Sequence, residues 1–265
     1  MPCNVHPMPQ VIRVHLAPAL VTPDELAGRT VLMIDLLRAS TTICYALAAG
    51  SSSVMPFVDV EDVRRAAEEA RGRGEPIVCG GERGGERIEG FDLGNSPREY
   101  VPDLVAGKRV LFTTSNGTRA LHHAQLAERV LVACLANLWA TIDLLNEAEG
   151  VDILCAGSGG AVTREDVIAA GAYVERLTET SAASLDDSAL VALDAWLAAT
   201  AGIDRRTPEA TERLARSLAE GRHGRHLISL GYAEDLSLCA AVDSVDVAAE
   251  FNVRTGLILP CRVGR

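Results

Sequence analysis

The chain has 265 residues, 48% of them hydrophobic but only 4% aromatic, and a formal net charge of −11. Aliphatic side chains must therefore build its core, and the length suits one large domain or two small ones. The acidic balance argues against a general nucleic-acid or membrane-surface partner, since both are anionic and need a basic footprint.

In chain order, β-rich runs at 11–16, 30–35, 53–58, 76–79, 109–114, 129–132 and 151–155 predict strands. They are almost continuously apolar, as strands buried on both faces are. Helical patterns fall between them at 41–49, 61–73, 117–126, 138–147 and 164–179. This alternation predicts a layered α/β/α fold with a largely parallel or mixed sheet. From 184 the rhythm becomes helix after helix, at 186–200, 208–220 and 222–230. Leu190, Leu193 and Leu197 recur at helical spacing and predict the packed face of the first of these. The expected organisation is a core over 1–183, a helical insertion or lid over 184–230 in the C-terminal third, and a return to the core over 231–265. The run 256–260 would rejoin the sheet.

Two helix starts are marked. Ser96-Pro97-Arg98-Glu99 reads as a capping box with proline at the first helical position. Thr163 reads as a cap, with Glu165 and Asp166 in the first turn to meet the helix dipole.

The segments 90–97 (Gly-Phe-Asp-Leu-Gly-Asn-Ser-Pro) and 113–118 (Thr-Thr-Ser-Asn-Gly-Thr) place hydrogen-bonding side chains beside glycines. Such loops let an oxyanion such as phosphate approach backbone N–H groups closely. The second ends a strand and opens a helix, where free N–H groups favour an anion. Asp35 ends another strand, where open α/β sheets gather ligands. It is a candidate Mg²⁺ ligand or nucleophile, or else it orders a turn. Arg38 suits a phosphate fork, and the Ser40, Thr41 and Thr42 hydroxyls suit a helix cap or an anion. A third glycine loop, 80–85, carries Glu82 and Arg83. Glu165 and Asp166 are a candidate metal pair, although adjacent helical residues point roughly 100° apart, so only one would ligate directly.

Other motifs exclude alternatives. A phosphatase with a second aspartate two residues after the first would need it at Leu37. The 157–160 turn resembles a dinucleotide loop, but the third glycine falls on Val162, and no G-x-x-x-x-G-K-[ST] run exists. His122, His123, His223 and His226 lack zinc-site partners and read as surface or structural. Trp139 and Trp196 read as packing. Seven cysteines, Cys3 among them, form no C-x-x-C pair, which suits reduced thiols in the cytoplasm. Cys155, at the end of an apolar strand, reads as a buried thiol. The first residues lack a charged stretch followed by a long apolar one, and no apolar run reaches membrane length, so a soluble cytoplasmic protein is expected.

Several strings together resemble one family. They are Asp35-x-Leu37-Arg38-Ala39-Ser40-Thr41-Thr42, Gly81-Glu82-Arg83, the 90–97 segment, Thr113-Thr114-x-Asn116-Gly117-Thr118, Asn137, Cys155-Ala156-Gly157, Glu165-Asp166 with Ala170-Gly171, and Leu230-Gly231-Tyr232-x-x-Asp235-Leu236. In order, over about residues 11 to 259, they resemble the 2-phosphosulfolactate phosphatase family. The resemblance implies a Mg²⁺-dependent phosphatase that releases phosphate from 2-phospho-3-sulfolactate, a step of coenzyme M synthesis, with tolerance for related 2-hydroxy acid esters. Its expected parts are Mg²⁺ on Asp35 and Glu165 or Asp166. Arg38 and the loop residues Thr113, Thr114, Asn116, Gly117 and Thr118 would hold the phosphate, Arg83 with Arg119 the acid arms, and Asn95 is a further candidate substrate contact. Two other functions suit the same residues: a phosphatase for another small phosphorylated acid, and a non-catalytic anion-binding regulatory module. An aliphatic-rich chain of this size also suggests a homodimer.

Overall fold

A computed structural model describes residues 9–145, 148–179, 182–203 and 207–261. Cys3 and the last two residues of the helix expected at 138–147 lie outside the described residues.

The strands are β1 (Val11–His15), β2 (Thr30–Ile34), β3 (Ser53–Phe57), β4 (Ile77–Arg83), β5 (Glu86–Arg87), β6 (Arg109–Thr113), β7 (Arg129–Ala133), β8 (Gly150–Cys155), β9 (Ser184–Leu185), β10 (Ala248–Asn252) and β11 (Leu257–Cys261). The helices are α1 (Ala39–Ala48), α2 (Val60–Gly72), α3 (Pro102–Val105), α4 (Gly117–His123), α5 (Leu138–Asp143), α6 (Arg164–Thr178), α7 (Asp187–Ala199), α8 (Pro208–Ala219), α9 (Arg222–Ser229) and α10 (Asp235–Ala240).

One sheet runs in the order β5-β4-β6-β3-β11-β10-β7-β2-β8-β1-β9. It consists of two parallel blocks, β4-β6-β3 and β7-β2-β8-β1-β9, joined through the antiparallel pair β10–β11. The layered α/β expectation is borne out, in its mixed-sheet form. The central strands β2 and β7 bury Val31, Leu32, Met33, Ile34 and Val130, Leu131, Val132, Ala133 completely, which is why their sequences lack polar alternation. Helix α1 is also buried over most of its surface. Its residues are mostly small or aliphatic, so it can lie deep in the core.

Several local expectations are corrected. The loop expected at 80–85 is strand as far as Arg83: β4 stays paired to β6 through Gly80↔Phe112 and Gly81↔Thr113, and only Gly84 and Gly85 form the turn into β5. Strand β10, unannounced by apolar patterning, precedes β11. Pro97 opens a single 3-10 turn, Pro97–Glu99, with no side-chain cap. Glu99 Oε2 instead accepts from Gly94 N–H at 2.7 Å, while Ser96 Oγ donates to Asp235 Oδ1 at 2.7 Å. Thr163 stands at the N-cap of α6 as expected but makes no side-chain cap bond to the backbone; its hydroxyl donates to Asp166 Oδ2 at 2.8 Å.

On α7 the packed face is Ala189, Ala192, Trp196 and Ala199, with Leu193 partly buried against the core as expected, whereas Leu190 and Leu197 are 47% and 42% exposed. Close approach decides this. A Cβ on Gly171 of α6 would stand 2.0 Å from Ala192 O, so small residues must face each other here.

Candidate active site

The carboxyl ends of the two parallel blocks meet in one place. Asp35, directly after β2, lies against Gly117, the first residue of α4 after β6. A Cβ at 117 would come within 2.7 Å of Asp35 Oδ2. Beside this junction is a cavity of about 170 Å³, lined in part by Asp35, Arg38, Glu82, Asn95, Asn116 and His223. That is below the few hundred Å³ typical of pockets for drug-sized ligands, so the cavity suits a small molecule.

Asp35 is buried, and its Oδ1 accepts Ala39 N–H at 3.2 Å. Burial pushes its carboxyl up to about 6, with Glu82 and Glu165 adding to the rise and His223 opposing it. The hydroxyls after Arg38 do not reach a ligand. Ser40 Oγ accepts Asp35 N–H at 2.8 Å, Thr41 Oγ1 donates to Leu36 O at 2.9 Å, and Thr42 Oγ1 donates to Asn95 O at 3.0 Å. All three are committed to backbone, which fixes the turn that carries Asp35 and Arg38.

Arg38 is buried at the cavity wall. Its Nη1 donates to Asp235 Oδ2 at 2.7 Å and its Nη2 to Gly85 O at 2.6 Å, and its Cζ lies 4.2 Å from the Tyr232 ring centroid. Glu82 ties two loops together: its Oε1 accepts Ser115 N–H and its Oε2 accepts Gly85 N–H, each at 2.7 Å.

Asp166 accepts three hydrogen bonds. Leu36 N–H, Gly157 N–H and the Thr163 hydroxyl donate to it at 2.9, 3.0 and 2.8 Å, so it pins the β2 and β8 loops to α6. Burial, then Asp35 and Glu165, push its carboxyl well up. Glu165 is buried, and its Oε1 is paired with His223 Nδ1 at 3.2 Å. Burial would push His223 down, but Glu165, Asp35 and Asp166 together carry it above its ordinary value.

The 113–118 loop contributes less directly than expected. Thr113 Oγ1 engages Arg83 and Val58 O, and Thr114 and Thr118 bond to each other. Of this loop only Ser115 and Asn116 line the cavity, and Asn116 Oδ1 accepts Gly159 N–H at 3.2 Å. Arg83 spends its guanidinium on Glu82 O, Val58 O and Thr113, Arg119 is exposed on α4, and neither lines the cavity. Cys155 is fully buried, and burial pushes its thiol well up, which removes it as a nucleophile.

His223 and His226, expected at the surface or in structure, both line the cavity. His226 Nε2 is 2.9 Å from Gly84 O. Their i, i+3 spacing on one helix face was the signal available for them. Glu82 had none beyond its place beside Arg83.

A divalent cation fits part of this donor set. Mg²⁺ is ordinarily held by one or two carboxylates, with waters and substrate phosphates completing its shell. Asp35 on the cavity wall and Glu165, whose Oε1 is met by His223 Nδ1 at 3.2 Å, are such groups, whereas both oxygens of Asp166 already accept hydrogen bonds that hold loops. No cluster of three His, Cys, Asp or Glu residues able to enclose a metal occurs among the described residues, so the arrangement does not suit a closed all-protein cage.

The fold and this cavity define a layered α/β protein with a polar candidate site where the strands of its two parallel blocks end. Comparison narrows the class: residues 15–253 match the model of the 2-phosphosulpholactate phosphatase family, and the chain belongs to this family of phosphoric monoester hydrolases. It is similar to proteins named as probable 2-phosphosulfolactate phosphatases. In Prochlorococcus marinus the identity is 39% over 241 residues, covering 89% of this chain and 94% of the relative. In Symbiobacterium thermophilum it is 38% over 231 residues, covering 86% and 94%, and in Clostridium perfringens 33% over 233 residues, covering 88% and 90%. Among the described residues no helix is long and apolar enough to cross a membrane.

Proposed function

We propose that this protein hydrolyses the phosphate ester of 2-phospho-3-sulfolactate, and of related small 2-phospho-hydroxy acids, in a Mg²⁺-dependent reaction serving coenzyme M synthesis in the cytoplasm. The observation that carries the proposal is the convergence of Asp35, Arg38, Asn95 and Asn116 on one small cavity in a chain of this family. A substrate with phosphate, carboxylate and sulfonate groups would be repelled by so acidic a protein unless its charge is met locally.

Asp35 and Glu165 would hold the cation, which when bound neutralises phosphate charge and activates or orients the attacking group. Arg38 offers its remaining N–H groups to the phosphoryl oxygens. Asn95 Oδ1, buried and without a hydrogen-bond partner among the described residues, stands ready for a donor on the ligand or for the cation. Asp166 holds the loops that carry Asp35. With Arg83 and Arg119 away from the cavity, the acid arms of the substrate fall to the histidines that line it, His223 and His226. Of the segment 184–230, β9 and α7 belong to the sheet and its packed core, and α9, which lies against the Gly84–Gly85 turn, is the part that acts in this reading as a lid. A homodimer is also proposed, supported by the exposed Leu190, Val191 and Leu197 on α7.

The experiment is a substrate panel. Phosphosulfolactate, phospholactate and a chromogenic phosphate monoester are compared by kcat/KM with Mg²⁺ present. Highest turnover on phosphosulfolactate supports the specific proposal; equal turnover on all three leaves only a general phosphatase.

A further inference from the structure

The string Leu230-Gly231-Tyr232-x-x-Asp235-Leu236 lies almost 200 residues beyond Arg38, yet it closes on that one side chain. Asp235 meets Arg38 Nη1 end-on at 2.7 Å, and both side chains are all but fully buried, at 1% and 2% exposure. Ser96 holds the other Asp235 oxygen at 2.7 Å. Tyr232 covers the guanidinium face at 4.2 Å, and Gly85 O takes Nη2. A guanidinium has five N–H groups. Two are used in this way, and three have no hydrogen-bond partner among the described residues, although Arg38 lines the cavity.

For stability alone this arrangement is a poor choice. Desolvating two charges offsets most of their attraction, and a well-packed apolar pair would serve as well. What the pair does supply is orientation. Asp35 and Glu82 line the same cavity, and a loosely held arginine would turn toward those carboxylates and cancel the charge needed for an anion.

We propose that Tyr232 and Asp235 are positioning residues that hold Arg38 against the cavity wall, keeping it from the acid cluster and leaving its free N–H groups for the phosphoryl oxygens of the substrate. The proposal rests on the phosphatase reading for its substrate, but not for the clamp itself.

The test uses Tyr232→Leu, Tyr232→Phe, Asp235→Asn, Arg38→Ala and the double variant Arg38→Ala/Asp235→Asn. Each is measured for phosphate release from phospholactate and phosphosulfolactate, and for calorimetric binding of inorganic phosphate, both with Mg²⁺. Misplacing one catalytic contact by an ångström costs on the order of 100-fold, so Asp235→Asn and Tyr232→Leu should lower kcat/KM by about 10- to 100-fold and weaken phosphate binding. Tyr232→Phe, which keeps the ring, should restore most of what Tyr232→Leu loses. In the Arg38→Ala background Asp235→Asn should cost nothing further, since its effect runs through Arg38.

Additive losses in the double variant, or Tyr232→Leu with wild-type kcat/KM and phosphate affinity, overturn the proposal. If Asp235→Asn does not fold, the half-buried Tyr232 pair of variants decides alone. Arg38-dependent phosphate binding that is lost in Tyr232→Leu, with no release from either ester, would sink the phosphatase reading and support the clamp. Phosphate binding that ignores Arg38→Ala would overturn the clamp whatever the turnover.

Discussion

Gly117 and Asp35 touch across the seam between the two strand blocks, so closely that a single added carbon at 117 would lie 2.7 Å from Asp35 Oδ2 and 2.7 Å from the Ala39 Cβ. The glycine is required here by contact, since no positive φ demands it. Gly117→Ala should therefore push Asp35 out of line. The expected result is a fall in kcat of about 100-fold with the far-UV circular dichroism of the wild type. Wild-type turnover in that variant would show that Asp35 has room to spare.

Asp35 itself trades stability for function. Its carboxyl sits at about 6 against an ordinary 3.8, so the folded state binds this proton more tightly than the unfolded state. Stability contributed by the protonated form is present below about pH 4, is lost as pH rises toward 6, and stays lost above it. The loss amounts to about 3 kcal/mol at most. Asp35→Asn should raise the Tm of the metal-free protein by several degrees at pH 8 and by much less at pH 4.5. An unchanged or lower Tm at pH 8 would contradict the burial argument.

His223 opposes the rise at Asp35. Removing that positive neighbour in His223→Gln raises the carboxyl further, so ionisation of Asp35 needs a higher pH. The acid limb of the kcat/KM profile should move upward, and a limb that stays in place would separate His223 from Asp35.

Metal removal gives a fourth test. Treatment with EDTA should abolish phosphate release, and Mg²⁺ should restore it. Mg²⁺ should also raise the Tm of the wild type more than that of Asp35→Asn, because a ligand that binds only the folded state stabilises it by mass action. Full activity in EDTA would contradict a Mg²⁺ requirement.

The parts legible in the sequence were those governed by burial on both faces. The apolar runs of β2, β7 and β8 announce central strands, and Asp35 and Asn116 stand just beyond strand ends, where ligands collect. What was illegible depended on long-range partners. Strand β10 reads Ala-Ala-Glu-Phe-Asn and is defined by its neighbours β7 and β11. Gly80 and Gly81 look like a loop but are held as strand by β6. The leucines of α7 give a helical stripe, yet the close approach at Gly171 selects the alanine face and leaves only Leu193 of the three packed against the core. The hydroxyls of Thr113, Thr114 and Thr118 suggested a phosphate cradle, and local backbone and side-chain partners took them first. His223 and His226 enter the site only because α9 folds back against the turn after β4.

The most direct test of the account is phosphate release from 2-phospho-3-sulfolactate with Mg²⁺, measured side by side for the wild type and Asp35→Asn. The expected result is steady release by the wild type and about 100-fold less or none by the variant. No release by the wild type, or a variant within tenfold of it, would contradict the placing of the chemistry at the Asp35 seam.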